Sequence, residues 1–210
     1  MGPTAPVPVE AKVLLPSVAA RSGWASASPL EDATATDSGR RNGKKVAAPA
    51  PLTTTIKEAA SAFLANKRIA VTGVSRTAKG HGRNTVYTRL RDRGYEVFAV
   101  YPSADEVAGD RCYHSLIDIP GGVDAVVIAT RPEAAEATIQ ECAELGIKQT
   151  WMHRPFGEGS VCDDATVYGR EHGNTVIDGG CPLMFEPTAD FAHKIMRFVF
   201  TRSGNVPKTV

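Results

Sequence analysis

Residues 69–101 read Ile69-Ala-Val-Thr-Gly73-Val-Ser-Arg-Thr-Ala-Lys-Gly80-His-Gly82-Arg-Asn-Thr85-Val-Tyr-Thr-Arg-Leu90-Arg-Asp-Arg-Gly94-Tyr-Glu-Val-Phe-Ala-Val-Tyr101. The apolar run Ile69–Val74 predicts a buried strand. A glycine-punctuated turn follows, then a helical pattern over Thr85–Arg93 that Gly94 closes. Tyr95–Tyr101 is a second apolar run. Strand, helix and strand in that order form one βαβ unit, which requires a parallel pair and a right-handed crossover.

The same alternation continues in both directions. Upstream, Thr55-Ile-Lys-Glu58 has the spacing of a capping box, and Ile56, Ala60, Phe63 and Leu64 mark one helical face that ends near Asn66. Downstream, Cys112–His114 predicts a short edge strand and Asp124–Thr130 the most apolar strand. Pro132 fits the first turn of the next helix, whose Ala135, Ile139 and Cys142 face inward until Gly146. Ile147–His153 is a further strand. Ser160-Val-Cys-Asp163 opens a helix that closes at Gly173, Thr175–Asp178 is the last strand, and Pro187–Arg202 the last helix. The expected fold is α/β: a Rossmann-like doubly wound parallel sheet in three α/β/α layers. Six strands are expected in the order 3-2-1-4-5-6, with Cys112–His114 as a weak third strand.

Composition bounds the rest. Residues 1–54 hold seven of the 14 prolines, eleven alanines and one of the 14 aromatics, Trp24. Such a stretch buries too little apolar surface to offset the entropy of ordering it, so it is expected to be a disordered tail ahead of a single domain over 55–210. The 210 residues carry 24 Lys+Arg against 23 Asp+Glu. A net charge of +1 supplies no global field to recruit nucleic acid. The longest apolar run, Ala125–Ala129, is far below the roughly 20 residues of a membrane span. Four cysteines without a CxxC pair suit neither a zinc ribbon nor a disulfide scaffold, which makes a cytoplasmic location and no metal the expectation.

The turn after the first strand carries the chemistry. From Lys67 to Arg91 there are seven cations and no acid. Gly73, Val74, Gly80 and Gly82 lie in a strand-to-helix turn where backbone approaches a ligand and helix N–H groups face an anion. Ser75, Arg76, Lys79 and Arg83 are the expected phosphate contacts. In this fold the ligand crevice opens where the strand order reverses, so the loop after Ile128-Ala-Thr130 forms its other side. The glycines are too widely spaced for a dinucleotide fingerprint, and the acid nearest the end of the second strand is Asp105, which disfavours NAD. The basic loop still accommodates NADP. Coenzyme A, with roughly four negative charges, suits three loop cations better than NAD with two.

The chain here resembles a family. Arg68-Ile-Ala-Val-Thr-Gly-Val-Ser-Arg76, Gly94–Pro102, Glu106–Leu116, Val123–Pro132 and Gly179-Gly-Cys-Pro-Leu183 together resemble a stand-alone CoA-binding domain protein, related to the CoA-binding Rossmann domain of succinyl-CoA synthetase. The resemblance implies that CoA phosphates sit on the Gly73–Gly82 loop. It places the adenine end near Tyr101-Pro102 and the pantetheine arm near Arg131-Pro132 and Cys181-Pro182. Family members usually have Asn where Tyr101 stands.

No catalytic residue is assigned. Cys181 and His153 each follow a strand and are conceivable as a nucleophile–base pair, but no third residue orients them. Cys181 is expected to pack in a tight turn; a thiol beside the cleft cations would instead be readily ionised. His114 and His172 read as surface or edge residues. The leading expectation is a protein that binds CoA or acyl-CoA, with two alternatives: an NADP-dependent oxidoreductase, or a regulatory module sensing acyl-CoA through a partner protein. The last helix, apolar through Phe191, Ile195, Met196, Phe198, Val199 and Phe200, is expected to be buried on two sides, one of them in a homodimer.

Overall fold

The computed structural model describes residues 54–75, 82–154, 157 and 159–210, without the side chains of 82 and 83. The expected tail at 1–53 and the loop residues Arg76 and Lys79 lie outside them. Thirteen elements follow in chain order. Helix α1 (Ile56–Ala65) leads into β1 (Arg68–Thr72), α2 (Gly82–Asp92) and β2 (Glu96–Val100). The hairpin β3 (Glu106–Val107) and β4 (Asp110–Tyr113) precedes β5 (Ala125–Ile128), α3 (Pro132–Glu144) and β6 (Gln149–Met152). Then come α4 (Asp163–Glu171), β7 (Thr175–Asp178), a 3-10 turn (Pro182–Met184) and α5 (Phe191–Arg202).

The strands form one sheet in the order β3-β4-β2-β1-β5-β6-β7. Its six parallel strands follow the expected 3-2-1-4-5-6 pattern, with β4 in the third place. The seventh, β3, was not expected: it is a two-residue antiparallel partner of β4, too short to leave a periodic signal. Alternation along the strands builds two cores. Ile69, Val71, Ala125, Val127 and Trp151 face Phe63 of α1 and Tyr87 and Leu90 of α2. Ala70, Val126, Ile128 and Met152 face Ile139 and Cys142 of α3 and Ala165 of α4. Trp151 anchors the first core, edge-on to Phe63 at 5.3 Å, with its Nε1–H donating to the Gly179 carbonyl at 2.8 Å. Among the described residues no helix is long and apolar enough to cross a membrane.

The α1 capping box forms as expected: Glu58 N–H donates to the Thr55 hydroxyl, and Thr55 N–H to the Glu58 carboxylate. Two expectations are corrected. Ser160 does not open α4; the helix starts at Asp163, and the Ser160 hydroxyl donates to the Thr130 carbonyl at 2.6 Å, fastening the β6–α4 loop to the end of β5. The last helix starts at Phe191, where Asp190 caps it through the backbone N–H of His193. That N–H, the His193 ring and Arg89 hold the Asp190 carboxyl well below the usual range. Among the described residues, α5 packs through one side. Met196 and Phe200 pack on the first core, while Phe191, Ile195, Phe198 and Val199 are 80, 51, 64 and 51% exposed.

Candidate functional site

The strand order reverses at β1, whose neighbours β2 and β5 both run parallel to it. Gly73 closes this junction. Its φ is +71°, and a Cβ there would lie 2.6–2.7 Å from the Ala129 carbonyl and the Thr130 nitrogen. Its N–H donates to the Val100 carbonyl at 3.1 Å, and Ala129 N–H donates to the Thr72 carbonyl at 3.2 Å. The ends of β1, β2 and β5 are thereby held within one backbone's width.

The loop after β1 is clamped at its ends by Asn84, a residue the sequence reading did not single out. Its Oδ1 accepts from Ser75 N–H at 2.8 Å and its Nδ2 donates to the Ser75 carbonyl at 2.7 Å. This amide joins Ser75, just past the end of β1, to the first turn of α2. Gly82 is the first residue of that helix.

Beside the junction lies a cavity of about 830 Å³. Of the residues expected at the site, Gly73, Tyr101, Pro102, Thr130 and Arg131 line it. Val74 is buried in the first core, and Ser75 is half-buried. Pro132, the first residue of α3, lies on an adjoining depression of about 390 Å³ with Glu133, Arg154 and Asp163. Cys181 lies apart from the cavity lining. It is packed in the first core with Leu183 and Met184, and burial pushes its thiol up to about 12 against a smaller opposing pull from Arg89. This bears out the packing expectation and corrects the readily ionised alternative. His153 is buried as well, its backbone bridging Ile128 and Ser160.

The rest of the cavity wall escaped sequence reading. One side of α3 contributes Glu133, Ala134, Ala137, Thr138 and Glu141, whose three- and four-residue spacing puts them in one stripe along the groove. That spacing was legible; which side of α3 met a cavity was not. The opposite wall is the chain after β4. Glu141 accepts from the backbone N–H groups of Leu116 and Ile117 at 2.8 and 3.3 Å, tying that wall to α3. His114 and Ser115 complete it. The Oγ1 atoms of Thr72 and Thr130, residues on the cavity wall, are buried without a hydrogen-bond partner. A buried hydroxyl without a partner costs about 1–3 kcal/mol. Among the described residues no cluster of His, Cys, Asp or Glu is arranged to hold a metal.

Comparison with known proteins agrees with this geometry. Residues 67–187 match the family described as CoA binding domain. The chain is 38% identical over 84 residues to acetate–CoA ligase [ADP-forming] II of Archaeoglobus fulgidus, covering 39% of this chain and only 12% of that enzyme. An uncharacterised Bacillus subtilis protein, YneT, is 32% identical over 116 residues, 55% of this chain and 82% of its own length. The structure of a hypothetical protein from Pyrococcus horikoshii superposes with a TM-score of 0.56 at 26% identity, covering 60% of this chain and 87% of that one. The match spans both walls of the cleft, from β1 to the turn before α5, and the chain belongs to the CoA-binding domain family.

Proposed function

We propose that this protein binds coenzyme A or an acyl-CoA in the cleft at the β1/β5 junction, with no catalytic activity assigned to it. The observation that carries the reading is the junction itself: a glycine that lets the ends of β1 and β5 meet main chain to main chain beside a cavity, with threonine hydroxyls left without partners on its wall and a cation-rich stretch of sequence following β1. These residues fit a phosphorylated ligand. The glycine turn admits a pyrophosphate, while Ser75, Arg76, Lys79, Arg83 and the α2 N-terminus at Gly82 supply its charge-assisted hydrogen bonds. Tyr101 and Pro102 form the floor for the adenine end, and Arg131 and Pro132 stand where the pantetheine arm leaves the cleft. The chain matches 12% of the acetate–CoA ligase, so binding, and not ligation, is what the reading carries over.

Native mass spectrometry of freshly purified protein tests this for a co-purifying CoA mass, and calorimetry ranks the ligands. CoA should bind, more weakly as salt rises, and NAD(H) should not. Affinity for NADPH with none for CoA would overturn the reading.

The same reading makes the protein cytoplasmic, with residues 1–54 as a tail separate from the domain, and assigns it neither nucleic acid nor membrane as partner. A second copy of the chain is proposed to cover α5. Phe191, Ile195 and Phe198 recur at helical spacing, and the net charge of +1 opposes self-association little. Two such helices pair about a two-fold axis, each covering the other. Light scattering should give a dimer at micromolar concentration and a monomer for Ile195→Asp/Phe198→Asp; a wild-type monomer would remove the interface.

A further inference from the structure

We propose that His114 lets this protein tell coenzyme A from its 3′-dephospho form, by contacting the phosphate on the adenosine ribose. The inference rests on the CoA reading above and adds a specificity-determining side chain to it. In a doubly wound sheet the ribose of a bound nucleotide lies past the carboxyl end of the strand beside the reversal point. An acid there holds bare hydroxyls, and a cation accommodates a phosphate. Here that strand is β2, and its outer parallel neighbour is β4, with Val100 opposite Tyr113. The next residues, Tyr101 and His114, are therefore level with one another, and both line the cavity.

Charge divides the phosphates between the two ends of the cleft. Among the described residues of the cavity wall, only Arg131 and His114 can carry positive charge, and they stand on opposite sides of the reversal point, beyond β5 and β4 respectively. The pyrophosphate is assigned to the loop after β1, which leaves the ribose phosphate to the β2/β4 side and His114. The carboxylates of the same wall are Glu133 and Glu141, and one oxygen of Glu141 is already engaged by two backbone N–H groups. Ser115 is a poorer candidate, because its hydroxyl donates to Asp118 at 2.8 Å.

The ring is held for the task. Asp105 lies 3.0 Å from the imidazole Nε2, which leaves Nδ1 as the nitrogen for a ligand; in the doubly protonated ring both nitrogens donate. Asp105 does not line the main cavity; it shares a neighbouring depression with His114, Arg111 and Asp118, and its side chain is 96% exposed, so water screens its repulsion of a phosphate.

Calorimetry with CoA and with 3′-dephospho-CoA, on the full chain and on His114→Ala, tests the inference. The wild type should prefer CoA by roughly tenfold or more, the effect of one charge-assisted hydrogen bond. His114→Ala should lose about that factor for CoA and stay within about twofold for 3′-dephospho-CoA. The His114 side chain is 56% exposed, so its melting temperature should be unchanged. Asp105→Asn is a second variant that should weaken CoA selectively by roughly two- to threefold. Equal weakening of both ligands, no weakening, or a wild type indifferent to the 3′-phosphate would overturn the role of His114 while CoA binding stands. A wild type that binds neither ligand overturns the CoA reading and this inference with it.

Discussion

Two glycine turns lie on the carboxyl edge of the sheet, one after β1 and one after β7, and the fold uses them in opposite ways. At Gly73 the missing side chain draws three strand ends together and leaves a cavity of about 830 Å³ beside them, lined by residues with unpartnered hydroxyls. At Gly179 the main chain that takes the side chain's place comes from beyond α5. A Cβ there would lie 2.6 Å from the Asn205 carbonyl, and Gly180 N–H donates to that carbonyl at 3.0 Å. The segment after α5 thus closes over the β7 turn, which is why Cys181 is buried. Glycine marks close backbone approach in both places, and only the approaching partner distinguishes a ligand site from a packed joint.

The largest contrast should be chemical. With its thiol pushed up from 9.0 to about 12, Cys181 should hold roughly a thousandth of an ordinary cysteine's thiolate at neutral pH. Peptide mapping after iodoacetamide or CoA disulfide should find Cys181 and Cys142 unmodified in folded protein and labelled after denaturation. Fast labelling of Cys181 in the native state would erase the distinction between the two turns.

Next in size is the backbone. Gly73→Ala and Gly179→Ala each place a side chain at positive φ against main-chain atoms, and each should cost about 3 kcal/mol or more. That is on the order of 6–12 °C of melting temperature. Measured where both variants remain folded, Gly73→Ala should abolish CoA binding and Gly179→Ala should retain it. Loss of binding in both would make the β7 turn part of the site.

Side chains should then separate binding from stability. Arg76→Ala and Lys79→Ala should each weaken CoA by about 1–3 kcal/mol by calorimetry, with little change in melting temperature. Normal binding by both would leave the phosphates to backbone N–H groups alone. The smallest effect is expected at Thr72→Val. Removing an unpartnered buried hydroxyl should leave the free protein as stable or slightly more so, while CoA binding weakens by about 1 kcal/mol. Unchanged binding would show that the hydroxyl is an ordinary packing defect.

The fold was largely legible because its signals are local. The six parallel strands, the α1 capping box and the reversal point follow from apolar runs, caps and glycine stops in the chain. Where the reading went wrong, a distant partner had intervened. Ser160 has the look of a helix start, yet its hydroxyl is taken by Thr130, thirty residues earlier. Asn84 reads as one more polar helix residue until it is found clamping Ser75. His114 is exposed as expected, and only the pairing of β4 with β2 brings it level with Tyr101 on the cavity wall.

The sequence by itself determined the order and kind of the elements, the reversal point, and the loop whose cations and glycines suit a polyphosphate. Each is a property of neighbouring residues: apolar periodicity, capping chemistry, or charge within one turn. Tertiary structure alone decided which side of α3 walls the cavity, that Cys181 is sealed while a cleft opens beside Gly73, and which face of α5 packs on the core of the described residues. Those outcomes depend on what packs against each residue from far along the chain, and spacing in sequence carries no distance between such partners.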